Sequence, residues 1–211
     1  MMVTLYYSPG SASMAVHLAL LELGVPHELR LVDMEARAHK DPEYLRLNPN
    51  GLVPTLIIDG APVFECAALL LLLGERHPDA GFAPAVGDPK RAQYLQWMVH
   101  LTNTVMPAFR QWFYPQDFAP ADVEAQSKAA ATNRIEAAWD RIEKQLSNNG
   151  PYLLGADLSL VDLLLVMLMR WSRNMPKPAD RWPALAKLAG LVKQRPAWRE
   201  LYRVEQLTDW A

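Results

Sequence analysis

Residues 48–66 read NPNGLVPTLIIDGAPVFEC. Two short runs, Thr55–Ile58 and Pro62–Glu65, flank Asp59-Gly60. An Asp-Gly pair between β-prone runs is a hairpin signal, because glycine supplies the positive φ that a tight turn needs. The spacing predicts two antiparallel strands here. The next stretch, Cys66–His77, is apolar at helical spacing and predicts a helix. Working upstream, Val3–Tyr7 is a β-branched and aromatic run stopped by Ser8-Pro9-Gly10, which reads as a strand and a turn. Ser13–Leu23 carries Val16, Leu20 and Leu23 on one helical stripe and ends at Gly24, a favourable C-terminal cap. His27–Val32 alternates and reads as a second strand. Pro42–Leu47 predicts a short helix, with Asp41 placed to cap it and Pro42 in its first turn. The order is therefore βαβ, then α, then ββα, which makes residues 1–78 an α/β domain.

Downstream, residues 79–88 are rich in Pro, Gly and Ala without periodicity and read as a linker. Residues 89–211 read as all-helical. Lys90–Tyr114 is amphipathic and interrupted by Pro107, and Pro120–Leu146 is a second long segment. Ser159–Ser172 is strongly apolar, and Pro183–Lys193 and Pro196–Val204 each open with a proline suited to a first helical turn. In front of the apolar segment, Ser159 and Asp162 have capping-box spacing, with Asp in place of the usual Glu. The fold class is α/β followed by all-α.

Composition narrows the function. Twenty-one basic and 23 acidic residues give a formal charge of −2, with no run of like charges. A nucleic-acid or anionic-membrane surface would carry a basic patch, so neither partner is expected. The apolar runs are too short to span a bilayer, and the N-terminus lacks the pattern of a secretory signal. A cytoplasmic location is the expectation. The five histidines and the single cysteine, Cys66, show no metal-ligand spacing, and no metal is expected.

Three segments together carry a family resemblance. Leu5-Tyr6-Tyr7-Ser8-Pro9-Gly10-Ser11-Ala12-Ser13 is similar to the strand–turn–helix opening of cytosolic glutathione transferases. Asn48-Pro49-Asn50-Gly51-Leu52-Val53-Pro54-Thr55-Leu56, followed by Phe64-Glu65-Cys66, resembles their NPxGxVPxL…ES segment, with Cys66 where serine is usual. Gly155-Ala156-Asp157-Leu158-Ser159-Leu160-Val161-Asp162 resembles their capping segment before a buried helix. The likeness runs from about residue 3 to about residue 200, nearest to bacterial serine-type and beta-like members. It implies a thioredoxin-like first domain, a helical second domain and a homodimer that uses glutathione as co-substrate against a small apolar electrophile.

The resemblance also implies roles. Pro54 is expected to follow a cis bond, turning the Val53 backbone, with Leu52 beside it, toward the cysteinyl part of glutathione. Glu65 and the Cys66 N–H are expected to hold the γ-glutamyl group, where a helix N-terminus suits a carboxylate. His39 is a candidate partner for the glycine carboxylate, while Gly51 stands where such relatives often carry a histidine. For thiol activation the hydroxyl candidates are Tyr6, Tyr7, Ser8, Ser11 and Ser13. The Pro9-Gly10-Ser11 string favours Ser11, then Tyr7, then Ser13. Ala12 stands where beta-type enzymes place a cysteine, which argues against a mixed disulfide there. Cys66 itself reads either as a passive serine substitute or as a redox nucleophile at a helix end. The electrophile pocket is expected between the domains, with Met106, Phe109, Arg110 and Phe113 as candidates and Trp171 as a further one. Helical spacing alone would equally make these core residues. A glutathione-dependent isomerase or reductase, or a non-catalytic glutathione-binding or assembly protein, are the alternative functions.

Overall fold

The computed structural model describes residues 2–211. The chain divides into two compact units, one formed by residues up to 85 together with 192–211 and the other by 86–191.

The first unit is built on four strands, β1 (Val3–Tyr7), β2 (His27–Leu31), β3 (Thr55–Ile58) and β4 (Ala61–Phe64). They lie in the order β2-β1-β3-β4, with β1 and β2 parallel and both other pairs antiparallel. This is the thioredoxin-like sheet that the resemblance implies. Asp59 and Gly60 both take positive φ and make the β3–β4 turn read from the sequence. The parallel β1–β2 pair needs a crossover, supplied by α1 (Ser13–Glu22). That helix ends in a Schellman motif: Gly24 takes φ +64°, its N–H donates to the Leu21 carbonyl, and the Val25 N–H donates to the Leu20 carbonyl. All eight residues from Ser13 to Leu20 are buried. A single stripe was legible in the sequence; the whole helix is covered because it packs against β1, α3 (Cys66–Arg76) and α9 (Pro196–Val204). The short helix α2 (Pro42–Leu45) starts at the expected place, although Asp41 makes no side-chain cap bond. The final segment, read from the sequence with the helical domain, thus makes its contacts on the α/β side. A bidentate ion pair from Arg195 to Glu22, at 2.6 and 2.7 Å, fastens it there.

The second unit holds α4 (Arg91–His100), α5 (Met106–Phe113), α6 (Glu124–Asn149), α7 (Leu160–Trp171) and most of α8 (Pro183–Lys193). Between α4 and α5 the helix widens to a π turn over Leu101–Val105. Pro107 gives the reason: it has no N–H to donate, and its ring crowds the carbonyl four residues back. The apolar run of the sequence becomes α7, whose residues Leu160–Arg170 are all buried. Its N-terminus carries the predicted capping box. The Asp162 carboxylate accepts the Ser159 N–H at 2.9 Å, the Ser159 hydroxyl at 2.7 Å and the Leu153 N–H at 2.8 Å. No helix among the described residues is long and apolar enough to cross a membrane.

Candidate functional site

Strand register alone brings three candidate segments to one end of the sheet. Tyr6 pairs with Thr55 in the antiparallel β1–β3 ladder, and Thr55 pairs with Phe64 in β3–β4. The residues after Tyr6, those before Thr55 and those after Phe64 therefore leave the sheet at the same edge. These are Tyr7 through Ser11, Leu52-Val53-Pro54 and Glu65-Cys66. The Cys66 thiol lies 3.6 Å from the Ala12 carbonyl, joining the starts of α1 and α3 directly.

The serine turn is a closed network. The Ser11 hydroxyl donates to the Ser8 carbonyl at 2.7 Å and lies 2.9 Å from the Ser13 hydroxyl. The Ser13 hydroxyl accepts the Ser8 N–H at 3.2 Å and approaches the Ser8 carbonyl at 3.1 Å. Ser13 has no exposed surface. Its hydroxyl serves the turn, which removes it from the thiol-activating candidates, whereas Ser11 keeps partial exposure. Tyr7 is also partly exposed; burial first, and then the nearby Glu205 carboxylate, raise its pKa, so it remains a neutral hydroxyl.

Glu205 was not legible as a site residue. Its carboxylate accepts the Gly10 N–H at 2.8 Å in a partly buried setting and meets the buried His17 Nδ1 at 2.8 Å. It sits 195 positions from Gly10, and no local pattern marks it.

The Val53–Pro54 bond is cis. The preceding loop is held from inside: the Tyr44 hydroxyl and Asn48 Nδ2 donate to the Leu52 carbonyl at 2.6 and 2.8 Å, and both also contact Thr55 Oγ1. The Leu52 carbonyl therefore faces the protein, while its side chain is exposed. Gly51 takes φ +58°, and a Cβ there would stand 2.7 Å from the His39 carbonyl. Glycine is required by this path, which explains why no histidine is found at 51. His39 Nδ1 is buried without a hydrogen-bond partner. Burial, and then Lys40 and Arg37, lower the pKa of its ring, so it is neutral near pH 7.

Glu65 is exposed and occupies the N-cap of α3 at φ +77°. A non-glycine residue in that region is held there by its surroundings, and such strain clusters at functional positions. Cys66 is buried, and desolvation, followed by the charge of Glu65, pushes its thiol up to about 12. This disfavours the redox-nucleophile reading, since only the thiolate reacts. We expect no reaction of native Cys66 with a soluble disulfide reagent at pH 7, and stoichiometric reaction once urea unfolds the chain. Rapid labelling of the native protein would contradict this.

The candidates on α5 separate. Phe109 has no exposed surface and packs against Phe113, Trp139 and Trp171, with ring centroids 5.8–6.2 Å apart. It belongs to the core of the helical unit rather than to a pocket wall. Phe113 and Arg110 are exposed, and Met106 is partly so. Arg110 pairs with Asp117 and lies 4.0 Å over the Tyr114 ring. Among the described residues, no group of three or more His, Cys, Asp or Glu is arranged to hold a metal ion.

Residues 10–76 match the N-terminal domain of glutathione S-transferases and residues 103–200 match their C-terminal domain. The chain belongs to the glutathione S-transferase family. It is 30% identical over 171 residues to a glutathione S-transferase of Xanthomonas campestris, covering 81% of this chain and 82% of that one. A sphingomonad glutathione S-transferase complexed with glutathione superposes with a TM-score of 0.85 at 32% identity, over 97% of this chain and all of that one. A glutathione transferase homologue from Sulfitobacter with bound glutathione superposes with a TM-score of 0.90 at 28% identity, over 98% of this chain and 99% of that one.

Proposed function

We propose that this protein is a glutathione transferase that binds glutathione at the sheet edge formed by the β1–α1 turn, the Val53-Pro54 loop and the start of α3. It activates the thiol for attack on a small apolar electrophile. The observation that carries this reading is the convergence of those three segments, with two helix N-termini beside the partly exposed Ser11. In this reading Val53 pairs its backbone with the cysteinyl part of glutathione. Glu65 takes the α-amine, the Cys66 N–H takes the α-carboxylate, and His39 reaches the glycine end as a neutral donor.

The energetics are sufficient. A thiol of pKa ~8.5 is about 3% ionised at pH 7, and lowering it by roughly two units needs about 2.7 kcal/mol. One hydrogen bond to a charged group contributes about 1.5–3 kcal/mol, and a helix N-terminus about 0.3–1 kcal/mol. Ser11 can supply the bond by turning its proton from the Ser8 carbonyl toward the sulfur. That carbonyl still holds the Ser11 N–H at 3.2 Å and the Ser13 hydroxyl at 3.1 Å, so the turn stays satisfied. Tyr7 is the rival donor. Met106, Arg110 and Phe113 are the α5 residues with surface to offer an electrophile.

The working form is proposed to be a cytoplasmic homodimer with an isologous interface; light scattering at micromolar concentration reads the mass. Calorimetric titration with glutathione tests the binding part, and turnover of a generic aromatic electrophile tests the chemistry. Binding without turnover would leave a glutathione-binding protein; absence of binding would overturn the reading altogether.

A further inference from the structure

Resting on that reading, we infer that Tyr44 and Asn48 are positioning residues for glutathione, setting its affinity without touching it and without taking part in activating its thiol.

The argument starts from the Leu52 carbonyl. It accepts two side-chain donors, the Tyr44 hydroxyl at 2.6 Å and Asn48 Nδ2 at 2.8 Å. A carbonyl oxygen has two lone pairs, so this one has no capacity left for a ligand, and it is turned inward although the Leu52 side chain is exposed. The Leu52–Val53 peptide is trans, so with its carbonyl turned inward its Val53 N–H points the opposite way, toward the side a ligand would take. The donors are themselves fixed. Tyr44 and Asn48 are buried, Tyr44 packs with Val32 and Val53, and the Tyr6 ring lies 5.7 Å from the Tyr44 ring. Asn48 Oδ1 accepts the Asn50 N–H at 3.1 Å, and its backbone carbonyl accepts the Gly51 N–H at 2.9 Å. The whole turn 48–52 is thus tied through one amide side chain and one phenol. Removing the phenol oxygen leaves the packing in place but loosens the Leu52 carbonyl, which Asn48 Nδ2 alone then holds. The Val53 peptide then samples orientations that cannot pair with the tripeptide, and only the competent fraction binds.

Thr55 provides the control. Its hydroxyl contacts Tyr44 and Asn48 at 2.9 and 3.2 Å and is fully buried, but it makes no hydrogen bond to the Leu52 carbonyl. Thr55→Val removes a hydroxyl from the same cluster while leaving both bonds to the Leu52 carbonyl.

The experiment compares wild type, Tyr44→Phe, Asn48→Ala and Thr55→Val by glutathione calorimetry, by kcat and KM for glutathione with an aromatic electrophile, and by thermal melting. Tyr44→Phe is expected to raise the glutathione Kd and KM by roughly three- to tenfold, with kcat at saturating glutathione and the pH profile of kcat within about twofold of wild type. Asn48→Ala should act in the same direction. Thr55→Val should lower the melting temperature with little change in Kd. If Tyr44→Phe leaves Kd unchanged, or if Thr55→Val raises it as much as Tyr44→Phe does, the positioning role is wrong. If wild type itself binds no glutathione, the proposed function fails and not this inference alone; amide exchange at Val53, faster in Tyr44→Phe than in Thr55→Val, then still reads whether Tyr44 holds the loop.

Discussion

Asp162→Ala is expected to lower the unfolding free energy by about 3–5 kcal/mol. The carboxylate is fully buried and accepts the Leu153 N–H, the Ser159 N–H and the Ser159 hydroxyl. Alanine leaves two backbone donors inside the protein without acceptors, at about 1–3 kcal/mol each. It also removes half of a capping box. The buried helix α7 starts at this point, and its covered face cannot recruit water to replace the lost partners. For a chain of this size the change corresponds to a fall in melting temperature of roughly 6–20 °C. A loss under about 1 kcal/mol in urea melts would show that the box is dispensable.

The same residue has a pH signature. Burial raises the Asp162 pKa from 3.8 to about 6, against the lowering effect of its hydrogen bonds. The folded state thus holds this proton more tightly than the unfolded chain. The resulting stabilisation is full below the unfolded pKa and is lost as pH rises through about 6. The stability of wild type relative to Asp162→Asn, which does not titrate, should therefore decline between about pH 4 and pH 6 and then level off. A shift of about two units sets the decline at up to ~3 kcal/mol. Parallel urea melts of the two proteins at pH 4, 5, 6 and 7 measure it; a difference that grows with pH would reverse the sign.

Ser11→Ala is the second large effect and concerns chemistry rather than stability. If the hydroxyl stabilises the bound thiolate, its removal costs about 1.5–3 kcal/mol and raises the pKa of the bound thiol by about one to two units. The pH–rate profile should shift upward by the same amount, and turnover at pH 7 should fall by roughly three- to twenty-fivefold, the loss of ionised thiol at that pH. Glutathione affinity should change little, because the contacts proposed for Val53, Glu65 and the Cys66 N–H do not involve this hydroxyl. Tyr7→Phe is the discriminating control. If Tyr7→Phe moves the profile and Ser11→Ala does not, the tyrosine is the donor and the serine only closes the turn.

Most of the architecture was legible because it rests on local chemistry. Asp59-Gly60 between β-prone runs specifies its hairpin through the φ values that only such residues adopt readily. Gly24 ends α1 for the same reason, and Ser159 and Asp162 announce the start of α7 from three positions apart. Pro107 announced a break, although its form, a π turn rather than a stop, depends on how the surrounding helices hold the chain. The family's segments could be matched one by one because each is short and contiguous.

Tertiary structure decided what each candidate can reach. Ser11 and Ser13 are equivalent as letters, yet burial takes Ser13 out of the site and leaves Ser11 at its edge. Phe109 and Phe113 lie one helical turn apart; the first fills the core beside Trp139 and Trp171 while the second stays exposed. Cys66, at a helix N-terminus, had the position of an activated thiol, but desolvation outweighs the helix end and raises its pKa. Glu205 reaches the serine turn only because α9 folds back on α1. A sequence records neighbours along the chain, whereas burial and long-range hydrogen bonds depend on which distant segments share a space. Glu205, 195 positions from the Gly10 N–H it accepts, could be found only in the folded protein.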